Sequence, residues 1–503
     1  MAFEDQEAAP SAGSGSARFF RSGGIYLGAN LLNAALAFLL VPILTRHLSP
    51  VDYGVTATAT VLIQILTMAI SLNAYGLVYR EYFTAARSTL SALLSTAVCL
   101  PAGLAALLTP LFFLGGPILE RLTAFPASWA GCLGFLAFAQ TLQNISLGML
   151  QARSEAGRFG VWQILSSSLN LGLSILFVVG FGMDWRGRML ALVAVATLMS
   201  LAFAAELGGR LRLLRPRLER ESLRALARFG LPLLPHFAGG WVMTMSPRLF
   251  LNHMSGLAET GLYSVAYNLA SPLMILIGAA NQAYIPLLFG KLSAWERAEG
   301  ERQAASGGPR VGEPCSPLPA PCSTLPAPSS PLPAPRSLLP AHRSPLTDQI
   351  RFCRLLLLAC AALPFAAVAL WLGVRWILPW LVGPKFLACA PYVFWLALAL
   401  AFNGIYYIFG NFVLYSKKTR LLSWRADFLG GLSTLVLCPL GIHFWGGVGA
   451  AAATAAAFAI SCLGGITAAC RAHPMPWGAT LRGMLRGGDP RGGPPARGPV
   501  SGS

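Results

Sequence analysis

Two ionisable side chains stand within long apolar runs of this sequence, where a charge needs a partner or a function. Arg248 occurs in "MSPRLF" and Asp427 in "SWRADFLGG". An arginine near the middle of a bilayer costs about 2.5–3.5 kcal/mol on insertion scales, so its presence there favours a role in attracting an anionic group. The alternative for Arg248 is a side chain that extends to the lipid headgroups from the end of its helix.

Asp427 is the acidic residue placed well inside an apolar run. A carboxylate in that setting is a candidate for ion coupling, because it can take up a proton or a sodium ion. The alternative is an ion pair with a base near the end of the same run, for which Arg425, Lys417 and Lys418 are available. Both interpretations are compatible with the sequence.

Uncharged amide side chains form a second group of candidates. Within apolar runs such groups either bond across helices or line a wet cavity that can meet sugar hydroxyls. Gln140 and Asn144 are spaced to share one helix face, as are Asn30 and Asn33. Those expected to line a substrate pathway are Asn33, Gln140, Asn144, Asn268 and Asn403.

Three arginines lie where the first two apolar runs meet one side of the membrane. Arg18 and Arg21 precede the first run, and Arg80 follows the second. Guanidinium groups bind phosphate in a bidentate manner, so these residues are candidates for the rim of an opening that admits a phosphate-bearing cargo. The alternative is ordinary anchoring of helix ends by basic residues.

The composition indicates the fold class. The chain has 503 residues, of which 55% are hydrophobic and only 11% charged, against about a quarter charged in soluble domains. Several apolar runs exceed the ~18 residues needed to cross the hydrocarbon core. The sequence therefore predicts an all-α polytopic membrane protein, because the hydrocarbon offers no partner for free backbone groups. We expect twelve spans, at about 24–44, 54–75, 90–114, 127–149, 160–182, 188–207, 229–254, 261–289, 355–374, 389–415, 421–441 and 446–470.

The distribution of basic residues predicts the orientation. The net charge is +18, but the basic residues lie between the apolar runs and form no separate domain, which does not indicate nucleic acid. Thirty of the 37 Lys and Arg residues fall in the two termini and the even-numbered loops. Basic residues are retained on the cytoplasmic side, so both termini are expected to be cytoplasmic. The six in the opposite loops are Arg46, Arg121, Arg186, Arg188, Arg375 and Lys385.

Two short polar islands divide the chain into halves. The first, "RHLSPVDYG", spans 46–54, and the second, "HMSGLAETG", spans 253–261. Each is expected to be a tight outward turn between the first two spans of a six-span half. Because six is even, the halves share one orientation, which predicts a pseudo-two-fold axis along the membrane normal and a pathway between the halves.

The remaining segments differ in composition. From Ser316 the chain repeats "SPLPAPC", "STLPAPS", "SPLPAPR" and "SLLPAHR", and proline at this density forbids a helix. The predicted organisation is a disordered tail at 1–17, a six-helix half at 18–207, a basic connector at 208–228, a second half at 229–290 and 351–470, a disordered Pro-rich cytoplasmic loop at 291–350, and a disordered basic tail at 471–503.

Three stretches carry a family resemblance. They are "ANLLNAALAFLLVPILTRHLSPVDYGVTATATVLIQI", "LARFGLPLLPHFAGGWVMTMSPRLFLNHMSGLAETGLYSVAYNLA" and "LVGPKFLACAPYVFWLALALAFNGIYYIFGNFVLYSKKTRLLSWRADFLGGLSTLVL". They resemble bacterial polysaccharide transporters of the O-antigen flippase type, in the multidrug/oligosaccharidyl-lipid/polysaccharide exporter superfamily. This family often has an acid before the arginine of the seventh span, where this chain has Pro247, so an ion pair at that point is not expected.

The resemblance implies a function and a location. Members move polyprenyl-pyrophosphate-linked oligosaccharide from the cytoplasmic to the periplasmic leaflet by alternating access, for O-antigen, capsule or exopolysaccharide synthesis. The expected location is the bacterial cytoplasmic (inner) membrane. The expected partners are lipid-linked oligosaccharide, anionic membrane lipid, and a polysaccharide polymerase with its chain-length machinery, with no cofactor.

Three alternatives remain at this stage. A cation-coupled multidrug exporter of the same fold would need buried acids, which are scarce here. A lipid II flippase is a closer alternative, although two further spans are usual there. A membrane polysaccharide polymerase or glycosyltransferase would need a large outward loop or an acidic pair, so we expect that the protein is not an enzyme and that it has no catalytic or metal site.

Overall fold

The computed structural model describes residues 12–210, 218–305, 345–416 and 423–485. These residues are helical and contain no strand. The first half consists of α1 (Ala12–His47), α2 (Pro50–Ser71), α3 (Ala74–Glu81), α4 (Arg87–Leu114), α5 (Gly116–Thr123), α6 (Cys132–Ala152), α7 (Ala156–Ile175) and α8 (Trp185–Ala205). The rest consists of α9 (Arg220–Gly230), α10 (Leu234–Ser255), α11 (Leu257–Ala270), α12 (Pro272–Ala305), α13 (Pro345–Leu381), α14 (Ala390–Tyr415), α15 (Leu429–Ala472) and α16 (Trp477–Leu485).

The predicted all-α polytopic class is confirmed. Within the described ranges, ten helices are long and apolar enough to cross a membrane. The predicted number of twelve is not confirmed. One of the ten, Ala426–Ala472, contains two helices that meet at Gly446, where the backbone is non-helical with φ 57°. α10 is not among the ten.

Both polar islands form tight turns, as predicted. α1 ends at His47 and α2 begins at Pro50, with the Ser49 side chain accepting a hydrogen bond from the Asp52 amide and the Asp52 carboxylate accepting one from the Ser49 amide. This reciprocal cap satisfies two amides at the start of α2. Gly256 alone separates α10 from α11. We call the end of the helices that bears these two turns the turn end.

Two apolar clusters make up much of the core. Leu94 of α4, Ile145 of α6 and Phe203 of α8 are buried in one cluster within the first half. Tyr263 of α11 and Leu396 of α14 are buried in another, which also includes Leu44 of α1 from the first half. The halves meet where α2 packs against α10 and α11, so the surface between them starts at the two turns.

A second compact unit comprises Asn281–Cys360 and Pro474–Ser503. Within it, the rings of Tyr284 and Phe352 stack with centroids 6.5 Å apart. The Lys291 ammonium lies over the rings of Trp295 and Phe352, at 5.8 and 5.5 Å from their centroids. The end of α12 and the start of α13 therefore pack through aromatic side chains.

Helices extend into three segments for which disorder was predicted. α12 continues to Ala305 and α13 begins at Pro345, so the helical structure reaches into 291–350 from both sides. Residues 291–305 are rich in the helix formers Ala, Glu and Arg and contain no proline, which accounts for the extension. α1 begins at Ala12, and α16 follows α15 within the predicted tail. Residues 1–11, 306–344 and 486–503 lie outside the described residues.

Candidate transport pathway

The first of three adjoining cavities lies between the halves, and we call it the arginine cavity. Its volume is about 650 Å³. α1, α2, α7 and α8 of the first half and α10 to α12 contribute to its wall. It includes two arginines, Arg248 on α10 and Arg188 on α8. The α2 side chains in this wall come from 53–64, so the cavity lies toward the turn end.

Arg248 is buried, with 6% of its surface exposed, and does not extend to the headgroups. Its Nε donates to Ser264 Oγ at 3.1 Å and its Nη1 to the Thr244 carbonyl at 2.8 Å. The guanidinium lies over the Tyr267 ring, 4.7 Å from the centroid. Salt bridges found among the described residues do not include Arg248. Its positive charge is held by neutral groups and faces the cavity.

Arg188 is a cavity residue that the sequence analysis assigned to an outward loop. It lies in the first turn of α8 rather than in the preceding loop. Its Nη1 donates hydrogen bonds to Asn170 Oδ1 and Ser174 Oγ on α7, and the salt bridges of the described residues do not include it either. Each half thus supplies one arginine without an acidic partner to the same cavity. The position of Asn170 on the preceding apolar run was the available signal.

Tyr53 and Asn268 connect the halves beside these arginines. Asn268 Nδ2 donates to Tyr53 Oη at 2.9 Å, and both side chains line the arginine cavity. The predicted pathway residue Asn268 is therefore both a cavity residue and an interhelical contact. Gln140 of α6 also lines this cavity, on the side away from the turn end.

The second cavity, the Asp427 cavity, lies farther from the turn end. Its volume is about 810 Å³, and its wall includes α2 residues 60–71 and α10 residues 234–244. Asp427 is buried in the π-helical segment Ser423–Phe428. Its carboxylate accepts a hydrogen bond from Tyr406 Oη at 3.0 Å.

The alternative partners of Asp427 are not described. Lys417 and Lys418 lie outside the described residues, as does the side chain of Arg425. Asn403 lines the same cavity, and its amide lies 3.6 Å from Met274 Sδ.

The third cavity, the amide cavity, belongs to the first half alone. Its volume is about 430 Å³. Asn144 lines both this cavity and the Asp427 cavity, and it accepts a hydrogen bond from Gln140 Nε2 at 3.2 Å. Gln163 Nε2 donates to Asn30 Oδ1 at 3.1 Å, joining α7 to α1 in the cavity wall.

Shared residues order the three cavities. The arginine and Asp427 cavities share Thr60, Gln64, Gln140 and Leu192. The Asp427 and amide cavities share Ser71, Asn73 and Asn144. The cavities therefore adjoin in a row that starts near the turn end and continues toward the opposite end of the helices.

The other predicted pathway residues lie away from this row. Asn33 accepts a hydrogen bond from Ser167 Oγ, which makes it a contact between α1 and α7. Arg80 is exposed, lies 3.8 Å from Glu81 in an ion pair, and does not line the three cavities. The side chains of Arg18 and Arg21 lie outside the described residues.

The turn end is closed by contacts between the halves. Arg46 Nη2 donates to the Trp380 carbonyl at 2.8 Å, and the Gly383 amide donates to Thr45 Oγ1 at 3.2 Å. Asn252 on α10 donates to Thr58 Oγ1 on α2 at 3.3 Å. The arginine cavity is therefore covered on this side.

An ion-pair network holds the opposite ends of α6, α7 and α8. Arg153 and Arg158 bind Glu155 at 2.7 and 2.8 Å, and Arg158 also binds Glu206 at 2.6 Å. Burial raises the pKa of Glu155, but the hydrogen bonds from Arg153 and Arg158 outweigh it, so the pKa lies below its ordinary value.

In the part of the chain that the structure describes, no group of three or more His, Cys, Asp or Glu could hold a metal ion.

The fold and this row of cavities define a class, the multi-pass all-α membrane proteins with internal cavities that lie partly between two groups of helices. Residues 19–290 match the family model described as polysaccharide biosynthesis protein. The chain belongs to that family.

Similar proteins agree with this placement. The succinoglycan biosynthesis transport protein ExoT of Rhizobium meliloti is 27% identical over 263 residues, which are 51% of each chain. The curated relatives are matched over about half to two thirds of their own length.

Two solved structures share the fold. The lipid II flippase MurJ, in an inward closed conformation, has a TM-score of 0.62 at 11% identity and covers 92% of this chain and 91% of its own. An inward-facing multidrug resistance MATE family transporter has a TM-score of 0.58 at 14% identity and covers 90% and 96%. The protein has the fold of the MATE and MurJ transporters.

Proposed function

We propose that this protein is a flippase that moves polyprenyl-pyrophosphate-linked oligosaccharide across the bacterial inner membrane. The cargo passes from the cytoplasmic to the periplasmic leaflet by alternating access, in the synthesis of a cell-surface polysaccharide. The observation that carries the proposal is the pair Arg188 and Arg248, which line one cavity from opposite halves and have no acidic partner among the described residues. Two guanidinium groups facing one space suit a diphosphate, because each can bind phosphate oxygens in a bidentate manner.

The family and the fold support the same cargo class. The family model is one of polysaccharide biosynthesis, and a similar protein is named for succinoglycan transport. With the termini in the cytoplasm, the turn end faces the periplasm, and its contacts close the pathway on that side. The cargo then enters from the cytoplasmic side, through the Asp427 cavity.

Asp427 is the proposed coupling residue. It is a buried carboxylate in the wall of the second cavity, which shares Gln140 with the arginine cavity. Protonation or cation binding at Asp427 would change the charge of the pathway without a change at the arginines. The proposed role couples cargo movement to an ion gradient.

The proposal keeps the partners that the sequence predicts. The basic helix α9 has Leu226 buried and Arg220, Arg224 and Arg228 exposed, a pattern suited to anionic lipid headgroups. A polysaccharide polymerase with its chain-length machinery would consume the cargo on the far side, and the protein itself would perform no catalysis.

The test is a deletion strain complemented with the full chain. Loss of the protein should cause lipid-linked repeat units to accumulate at the cytoplasmic face, where a membrane-impermeant glycosidase added to inside-out vesicles can reach them. Accumulated lipid II with unchanged surface polysaccharide would favour the lipid II alternative. Increased drug sensitivity with unchanged polysaccharide would favour a multidrug exporter.

A further inference from the structure

The amide cavity has a lining unlike that of the arginine cavity. Of the 12 described residues that line it, eight carry polar side chains and none of the 12 carries a charge. Its volume of about 430 Å³ is within the range of about 300–1,000 Å³ typical of small-molecule sites. The residues used below are Asn30, Asn73, Tyr75, Asn144, Gln151 and Gln163.

Asn73 presents an amide at the junction of this cavity with the Asp427 cavity. It follows Leu72, and both residues have left-handed backbones, with φ 55° and 45°. Such conformations at residues other than glycine cost about 1–3 kcal/mol each and concentrate at functional sites. The Asn73 side chain makes no capping hydrogen bond to α3. Asn73 lines both cavities, and its side chain lies beside Gly76 in the first turn of α3.

Tyr75 adds an aromatic ring to the same wall. One face of the ring lies against Gly148 of α6, where a Cβ would collide with it. The ring hydroxyl donates to Gln151 Oε1 at 3.3 Å, and 39% of the residue's surface is exposed. The ring is thus held in place while it remains accessible.

Further aromatic rings continue from Tyr75 along α3. The ring centroids of Tyr75 and Tyr79 are 6.2 Å apart, and those of Tyr79 and Phe83 are 5.7 Å apart. Phe83 is 64% exposed. We call Tyr75, Tyr79 and Phe83 the aromatic row. It leads from the amide cavity along α3 to Phe83, two residues past the end of that helix.

We infer that the amide cavity and the aromatic row bind the sugar units of the cargo, separately from the arginines that bind its diphosphate. Amides donate and accept hydrogen bonds, as neutral sugar hydroxyls do, without favouring an ion. Aromatic ring faces carry negative charge density and can receive the C–H faces of a pyranose ring. Among the side chains that the structure describes, Gln163 Oε1 is buried without a hydrogen-bond partner, so the wall holds an acceptor that a ligand can satisfy. This inference rests on the proposed function, because it divides one cargo between two sites.

The experiment measures binding of two probes to the purified full-length protein in nanodiscs. One probe is undecaprenyl diphosphate without sugar, and the other is the undecaprenyl-diphosphate-linked repeat unit extracted from the host strain. Gln151→Leu and Tyr75→Leu should weaken binding of the glycosylated probe about five- to tenfold and leave the sugar-free probe unchanged. Phe444→Leu, at an exposed ring in α15, is the matched control and should alter neither.

The outcomes separate the inference from the proposed function. If Gln151→Leu and Tyr75→Leu bind each probe as tightly as the unaltered protein does, the sugar site is overturned and the proposed function is not. Weaker binding of both probes by these two variants would also overturn it, because it would indicate a general structural role. Failure of the unaltered protein to bind either probe would overturn the proposed function itself.

Discussion

Gly54 and Gly261 occupy reciprocal positions where α2 crosses α11. A Cβ on Gly54 would collide with the carbonyl oxygen of Leu257, and a Cβ on Gly261 would collide with that of Pro50. Each carbonyl belongs to the residue four positions before the glycine of its own helix. The contact is therefore the same viewed from either helix, as a two-fold axis requires. The two polar islands meet at this crossing in equivalent positions.

Gly54→Ala and Gly261→Ala should each destabilise the closed turn end. The added methyl group meets a backbone carbonyl that cannot rotate away, so the helices must separate. We expect a lower melting temperature in detergent for both variants. Gly172→Ala is the control, because no atom lies within 4 Å of the added Cβ. Since alanine favours helices by about 0.5–1 kcal/mol over glycine, the control should be neutral or more stable. Equal melting temperatures for all three variants would contradict the tight crossing.

Arg188→Ala and Arg248→Ala should each reduce transport of the lipid-linked oligosaccharide by about tenfold or more. A hydrogen bond to a charged group contributes about 1.5–3 kcal/mol, which corresponds to about ten- to a hundredfold in affinity. The measurement is surface polysaccharide in the complemented deletion strain, with the amount of protein in the membrane checked by immunoblot. Arg186→Ala is the control, because Arg186 is exposed beside Trp185. Unchanged polysaccharide in both cavity variants would exclude the arginine pair as the diphosphate site.

Asp427→Asn should abolish transport driven by an ion gradient while leaving equilibration of the cargo between leaflets. Asparagine keeps the size and the capacity to accept from Tyr406, but it cannot take up a proton or a cation. The measurement compares cargo movement in proteoliposomes with and without an imposed proton or sodium gradient. Asp184→Asn, at the exposed start of α8, should behave as the unaltered protein. A response to the gradient that survives Asp427→Asn would remove this residue from the coupling mechanism.

The network around Glu155 should make stability depend on pH. Because the pKa of Glu155 lies below its ordinary value, its contribution is complete above the ordinary carboxyl pKa of about 4.3. The contribution is lost as pH falls through the lower value of the folded state. Glu155→Gln should therefore lower the melting temperature at pH 7. Upon acidification, the melting temperature of this variant should decrease less than that of the unaltered protein. Glu120→Gln is the control variant, because Glu120 is exposed and its carboxylate accepts a hydrogen bond only from the Ala127 amide among the bonds described. If Glu155→Gln shows the same pH profile as the unaltered protein, the network does not stabilise the fold.

Much of the fold could be predicted because its causes are local. Apolar runs long enough for the bilayer predict helices, and the polar island at 46–54 predicts the turn between α1 and α2. The disordered segments were predicted too broadly, since 291–305 lacks proline and continues α12. Gly446, where α15 is kinked, lies at the predicted boundary between the last two spans.

The candidate site was predictable only in part. Arg248 was identified from the sequence because a charge within an apolar run is conspicuous, and Gln140, Asn144 and Asn268 because amides are rare there. Arg188 was missed because its position at the start of a run looks like ordinary loop charge. Asn33 was assigned to the pathway, but it accepts a hydrogen bond from Ser167 and so joins α1 to α7. Whether an amide lines a cavity or joins two helices depends on the packing of the neighbouring helix.

The amino-acid sequence by itself determined the class of the protein, the polar turns and the two charged residues within apolar runs, because these follow from hydrophobicity and from the cost of burying charge. Only the tertiary structure decided which groups share a cavity. Arg188 and Arg248 come together because α8 and α10 pack around the same space, although 60 positions separate them in the sequence. Gly54 and Gly261 come together because a crossing this close has no room for a side chain.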